Sequence, residues 1–89
     1  MSVSVLTVSV IHPNGSQDEV EPSWDVVKKA LNNVMLEPVW LSDGSCLLVD
    51  EEGLLKNLPY NPLASQVAGQ PLVGTAALVR KRLVKKVLG

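Results

Sequence analysis

The sequence predicts a small α+β domain, with an antiparallel sheet of about four strands, one longer helix and one short helix. Three observations support this fold class. The chain has 89 residues, of which 46% are hydrophobic and none is Phe, so it forms one domain with an aliphatic core. Several short segments are rich in β-branched residues, which favour strands. Gly, Pro, Asn and Asp residues separate these segments and indicate turns.

A strand and a helix are predicted first. Residues 3–11 are β-branched and partly alternating, which favours a strand. An acidic stretch without regular structure is expected after this strand, up to Glu21. A helix is expected over residues 24–34, with Ser23 as its N-cap. Its apolar stripe would dock on the sheet.

A hairpin is predicted next, with strands at residues 35–41 and 46–49 around a Ser-Asp-Gly-Ser turn. Pro38 has no backbone N–H, which places the first of these strands at a sheet edge or gives it a bulge. After a second turn, residues 54–58 are expected to form another short strand.

The short helix has the clearest boundaries in the chain. Asn61 is a favoured N-cap, Pro62 suits the first helical position, and Gly69 suits the left-handed residue after the last turn. The last strand is predicted over residues 72–79, and Gly74 indicates a bulge or a close approach. The resulting β-α-β-β-α-β order is compatible with a ferredoxin-like sandwich and with a differently connected α+β roll.

Charge is strongly segregated along the chain. All nine carboxylates precede Gly53, together with two lysines, and six cations follow it. The two parts therefore carry formal charges of −7 and +6. Five of the cations occupy seven consecutive positions: Arg80, Lys81, Arg82, Lys85 and Lys86. Compensation within the molecule and a dedicated binding surface are both open interpretations.

Residues 81–89 are predicted to be a basic amphipathic segment that follows a single domain at residues 1–80. Its apolar residues share one helical face: Leu83, Val84, Val87 and Leu88. This face packs on its own domain or on a second subunit, while the cations could contact nucleic-acid phosphates or an anionic membrane. We expect a homodimer with the apolar face at or near the contact, and with Arg80, Lys81 and Arg82 opposite carboxylates such as Asp18 and Glu19.

Residues with catalytic potential are few. His12 and Cys46 are the only residues of their kinds, and the sequence places no base beside Cys46 and no Ser and Asp around His12. Asp50, Glu51 and Glu52 lack the spacing of a calcium loop. The glycines form no phosphate-binding loop. We therefore expect no enzymatic activity, no metal and no cofactor.

Tyr60 and Asn61 form a candidate binding site. The helix that begins after Asn61 could hold an anionic small ligand with its free N–H groups, and Tyr60 could stack on it. In the alternative, Asn61 only caps its helix and Tyr60 covers the edge of the core.

Five segments resemble a family of small phage and mobile-element proteins catalogued as a domain of unknown function. They are residues 11–15, 39–44, 47–53, 58–64 and 71–76. The most specific part is the order of Leu-Leu-Val-Asp-Glu-Glu-Gly, Leu-Pro-Tyr-Asn-Pro-Leu-Ala and Pro-Leu-Val-Gly-Thr-Ala. The resemblance covers roughly residues 5 to 80. It implies a phage or mobile-element origin, and it carries no activity over to this chain.

These observations predict a non-enzymatic accessory protein in the cytoplasm of a host cell, acting by binding a host protein or by self-assembly. One alternative is an oligomeric binder of a nucleotide-like molecule that uses Tyr60, Asn61 and the cations near the C-terminus. Another is weak nucleic-acid binding through those cations. No apolar run approaches the length of a membrane span, and no signal sequence is expected at the start.

Overall fold

The structure is a computed structural model that describes residues 7–89. Five strands and three helices lie in this part of the chain. The strands are β1 (Val8–Ile11), β2 (Gln17–Val20), β3 (Leu36–Trp40), β4 (Cys46–Asp50) and β5 (Ala76–Val79). The helices are α1 (Trp24–Ala30), α2 (Pro62–Ala68) and α3 (Lys81–Leu88). Residues 3–6 of the first predicted strand lie outside the described residues.

The strands form one sheet in the order β2-β1-β5-β4-β3, and every neighbouring pair is antiparallel. The sheet contains two hairpins, β1–β2 and β3–β4. Strand β5 lies between them and pairs with β1 on one side and β4 on the other. The α+β class is confirmed, with five strands rather than about four. A ferredoxin-like connection is not formed, because α1 links β2 to β3 at opposite edges of the sheet.

Helices or loops cover both faces of the sheet. On the first face, Val10, Leu48 and Val79 pack with apolar residues of α1 and α3. On the second face, Leu47 and Ala76 pack with α2 and the segment that follows it. Successive strand residues point to opposite faces. The central strands are therefore buried on both sides, although the chain is short.

The stretch that precedes α1 contains β2, where we expected no regular structure. Each residue of β2 pairs with β1, from Val8 with Val20 to Ile11 with Gln17. The Asn14-Gly15 turn before it is a strong hairpin signal that would have predicted this strand. The charged composition of β2 concealed this strand in the sequence, because an edge strand needs few apolar side chains.

Helix α1 is shorter than the predicted range of 24–34. It ends at Ala30 because Asn32 and Asn33 adopt left-handed backbone angles, with φ of 63° and 57°. Asn tolerates this conformation better than most residues. Ser23 occupies the N-cap position as predicted, but its side chain makes no capping hydrogen bond.

The predicted strand at residues 54–58 is wrong. This segment is a series of turns closed by local hydrogen bonds, including Lys56 N to Glu52 O and Leu58 N to Gly53 O. Strand β5 is also shorter than the predicted 72–79, because Gly74 interrupts it with a φ of 78°. A Cβ atom at Gly74 would lie 2.8 Å from Leu58 Cδ1, so the predicted close approach is confirmed.

Helix α2 begins and ends as predicted. Asn61 Oδ1 accepts a hydrogen bond from Ala64 N at 3.1 Å, and Gly69 adopts a left-handed φ of 73°. The amphipathic helix near the C-terminus is also present. Leu83 and Val87 of α3 are buried in the core on the first face of the sheet. Helix α3 therefore packs against the domain instead of extending away from it.

Candidate functional site

An open groove with a volume of about 450 Å³ lies on the second face of the sheet, beside the edge strand β3. Its walls come from β3, the end of β4 and residues 70–73, and the turn at residues 50–58 closes one side. Val39, Val49 and Leu72 form part of the apolar lining. We call this cavity the β3 groove. It is large enough for several side chains of a partner.

Leu54 and Leu55 stand at the margin of the β3 groove with 83% and 87% of their surfaces exposed. They are the most exposed large hydrophobic residues in the described chain. Two adjacent leucines beside an apolar groove form a continuous apolar surface. Such a surface is typical of an interaction site.

Carboxylates surround this apolar surface. Glu37, Asp50 and Glu51 line the β3 groove, and no Lys or Arg does. Asp50 is neutralised by Lys56, whose Nζ lies 2.8 Å from Asp50 Oδ2. Glu37 and Glu51 are exposed and have no ion pair among the described residues. The groove therefore combines an apolar lining with an acidic margin.

Local hydrogen bonds hold the turn that presents the two leucines. Asp50 Oδ1 accepts a hydrogen bond from Glu52 N at 2.8 Å, and Asp50 Oδ2 accepts one from Lys56 Nζ. The bond from Lys56 is the main reason that the pKa of Asp50 lies below its ordinary value of 3.8, and partial burial acts against it. Asn57 reverses the chain with a φ of 57°.

The edge of β3 itself is closed to a further strand. Leu41 N donates to Ser45 O, and Glu51 N donates to Met35 O. Because hydrogen-bonded positions alternate in antiparallel pairs, the backbone groups of Pro38 point away from β4. The proline ring therefore stands where an added strand would need an N–H donor. Pro38 confirms the edge position and protects it from pairing.

Asn61 is fully buried and its side chain is fully used inside the protein. Its Nδ2 donates to Ile11 O at 3.0 Å and to Gly74 O at 2.8 Å, while Oδ1 caps α2. The Asn61 side chain therefore caps its own helix, as in the alternative interpretation, and ligand binding at this helix start stays a prediction. Tyr60 is 57% exposed, and its backbone bridges to Val73.

Ser65 is a structural residue that the sequence did not reveal. Its Oγ accepts from Leu72 N at 2.7 Å and donates to Leu72 O at 3.2 Å. This pair of bonds ties α2 to the segment that forms one wall of the β3 groove. No sequence signal predicts it, because a serine inside a helix is ordinary.

A second candidate surface lies on the other side of the sheet. The five cations Arg80, Lys81, Arg82, Lys85 and Lys86 are all exposed, and none forms an ion pair with another described residue. We call these five residues the basic surface. No ion pair joins them to Asp18 or Glu19 of the same chain. Asp18 pairs with His12, and Glu19 accepts hydrogen bonds from Thr7 and Ser9.

The apolar face of α3 is used within the domain. Leu83 and Val87 are buried, and Val84 and Leu88 are partly buried against the same core. The structure thus contains the self-packed arrangement that the sequence left open. A subunit contact could reach Val84 and Leu88 only at their exposed parts.

Cys46 is fully buried in β4, and burial raises the pKa of its thiol to about 11. Since the thiolate is the nucleophilic form, this residue is unreactive near neutral pH. It acts as a small apolar residue in the core.

His12 has more polar neighbours than the sequence indicated. Its Nε2 lies 2.8 Å from Asp18 Oδ2, and its Nδ1 lies 3.4 Å from Thr75 Oγ1. This places a hydroxyl and a carboxylate around the ring. However, the Asp18 side chain is 69% exposed, so solvent weakens its effect on the imidazole. The three side chains connect β1, β2 and the segment before β5.

Residues 7–89 offer neither a metal site nor a membrane-spanning helix. No cluster of three or more His, Cys, Asp or Glu residues in this range could hold a metal ion. Within the same range, no helix is long and apolar enough to cross a membrane.

Residues 6–83 match the family described as "Domain of unknown function (DUF3846)". The chain belongs to this family. All five segments that carried the resemblance lie inside the matched residues, so membership is confirmed, while the phage or mobile-element origin stays a prediction. Lys85 and Lys86 lie beyond the match. No curated protein and no solved structure matches the chain.

Proposed function

We propose that this member of the family is a non-enzymatic accessory protein that acts by binding a partner protein through the β3 groove. The observation that carries the proposal is the exposed pair Leu54 and Leu55 beside an apolar groove of about 450 Å³. Apolar anchors surrounded by polar residues supply most of the affinity in protein interfaces.

The charge of the groove supports a partner with basic and apolar residues. Glu37 and Glu51 at the margin attract cations and repel acidic surfaces. Pro38 disfavours a partner that adds a strand to β3, so the partner contacts side chains in the groove instead. A phage or mobile-element role of this accessory protein rests on the resemblance alone.

Substitution of the two leucines tests the proposal. The double variant Leu54→Ser with Leu55→Ser should fold like the parent, because both side chains are almost fully exposed. It should lose the partner in a quantitative pull-down from a lysate of the cells that naturally make the protein. Val67→Ser is the matched control, since Val67 is an exposed apolar residue of α2, and it should retain the partner. A partner that both variants retain equally would exclude the β3 groove.

The non-enzymatic part of the proposal has its own test. Replacing His12 with Gln and Cys46 with Ala removes the histidine and the thiol. A biological effect that persists in this folded double variant would support a binding function. Loss of the effect without loss of folding would point to chemistry at the His12, Asp18 and Thr75 cluster.

A second candidate function is self-association, favoured by the charge complementarity of two surfaces on opposite faces of the sheet. The basic surface of one copy matches the acidic margin of the β3 groove of another. Such a contact joins two different patches and builds rings or open chains of subunits. A symmetric dimer through the apolar face of α3 has less support, because that face lies in the core.

A further inference from the structure

We infer that the basic surface binds the sugar–phosphate backbone of nucleic acid without sequence preference. This goes beyond partner binding at the β3 groove, which lies on the opposite face of the sheet, and it would compete with self-association for the basic surface. Helix α3 has eight residues and is about 12 Å long. It presents four exposed cations, and Arg80 at the N-cap position adds a fifth. None of the five forms an ion pair with a carboxylate among the described residues.

Part of this arrangement suits the helix, because Lys85 and Lys86 lie in its last turn, where cations favour the helix dipole. Lys81 also attracts Asp43. Other placements are unfavourable. Lys81 and Lys85, like Arg82 and Lys86, are four residues apart and repel each other on the helix surface. The first turn of α3 contains no acidic residue, and Lys81 and Arg82 oppose the positive end of the helix dipole. Placements that break a local rule are expected at functional sites.

The surface is also held in place before any ligand arrives. Leu83 and Val87 anchor α3 in the core, and Ser45 Oγ accepts a hydrogen bond from Lys81 N at 3.0 Å. Little order has to be gained on binding. The same packing disfavours a membrane, because the apolar side of the helix cannot insert into lipid while it lies in the core.

The chemistry of the exposed side favours phosphates over an acidic protein. No large exposed hydrophobic residue lies on α3, and a protein interface needs such anchors at its centre. A phosphate backbone needs only cations, and its affinity comes from release of counterions. No aromatic residue stands among the five cations to stack on bases. Binding should therefore be independent of sequence.

Fluorescence anisotropy with the full chain tests the inference. The probes are a labelled mixed-sequence DNA duplex, the corresponding RNA duplex and a single DNA strand, each titrated over a range of NaCl concentrations. We expect a dissociation constant between roughly 1 and 100 µM near physiological salt. The affinity should fall steeply as salt increases. The dissociation constants of the three probes show which nucleic acid is preferred.

Two variants with the same change in net charge locate the site. Lys85→Gln with Lys86→Gln should weaken binding to every probe and reduce the slope of log K against log salt by about 2. The control, Lys28→Gln with Lys29→Gln, removes two charges from α1 and should change the slope less. Thermal melts should show that the α3 variant is about as stable as the parent, because the relieved like-charge repulsion offsets the lost interaction of Lys85 and Lys86 with the helix dipole.

Three results would overturn the inference. The first is no binding to any probe at 50 mM NaCl and about 100 µM protein. The second is an equal effect of the two double variants, which would assign binding to net charge. The third is binding of polyglutamate or phosphatidylserine vesicles as tightly as nucleic acid, which would assign the surface to an acidic protein or a membrane.

Discussion

Lys56 Nζ lies 2.8 Å from Asp50 Oδ2 and closes the turn that carries Leu54 and Leu55. The ion pair joins the end of β4 to a segment without regular structure. It thereby sets the position of two leucines that have almost no packing contacts of their own. The geometry of the proposed binding surface depends on this contact.

We predict that Lys56→Gln raises the pKa of Asp50 toward its ordinary value of 3.8, because the hydrogen bond from Lys56 is the main cause of its depression. A depressed carboxyl pKa stabilises the fold above pH 3.8, and this contribution is lost as the pH falls through the folded-state value. The variant should therefore lose less stability on acidification. An NMR titration of the Asp50 carboxyl measures the shift. Lys29→Gln, which removes an exposed lysine without an ion pair among the described residues, should leave it unchanged.

We predict that Asn61→Ala costs roughly 2–5 kcal/mol of unfolding free energy. A helix cap alone is worth about 1 kcal/mol, but the substitution also leaves Ile11 O and Gly74 O without their donor. Urea unfolding measures the difference. Asn61→Asp separates the two contributions, since it keeps a capping acceptor but turns a buried carboxylate toward two carbonyl oxygens. If Asn61→Asp were as stable as the parent at pH 7, the hydrogen bonds from Asn61 to Ile11 O and Gly74 O would contribute little to the free energy of unfolding.

We predict that Cys46 does not react with thiol reagents in the folded protein near pH 8, because burial raises its pKa to about 11. Between pH 9 and pH 11 the unfolded chain ionises this thiol while the folded chain keeps it protonated. Stability is therefore lost as the pH rises through this range, by about 1 kcal/mol at pH 10. Urea unfolding of the parent and of Cys46→Ala at pH 8 and pH 10 isolates this contribution. Rapid labelling of the native protein would contradict the burial of Cys46.

We predict that the protein self-associates at tens of micromolar and that added salt weakens the association. The physical reason is attraction between the basic surface and the acidic margin of the β3 groove, which salt screens. Sedimentation at low and high salt measures it. Glu37→Gln with Glu51→Gln should shift the distribution toward monomer, whereas Gln substitution of the exposed Asp25 should not. A monomer at low salt would remove self-association from the candidate functions.

The sequence by itself determined the elements that depend on local backbone chemistry. Asn61, Pro62 and Gly69 set both ends of α2, because a cap, a fixed φ and a left-handed residue act within one turn of helix. The β3–β4 hairpin and the amphipathic character of α3 follow from similarly short-range patterns. The polar neighbours of His12 were not readable from the sequence, because they come from distant positions.

Only the tertiary structure decided where those elements lie and which groups they bring together. Strand β2 exists because β1 offers it a partner, and residues 54–58 are not a strand because no partner is available to them. Burial of Asn61, the enclosure of the β3 groove and the separation of its acidic margin from the basic surface all join residues far apart in the chain. Hydrogen bonding between strands and packing across a sheet are long-range interactions, so a single sequence does not contain their outcome in any local pattern.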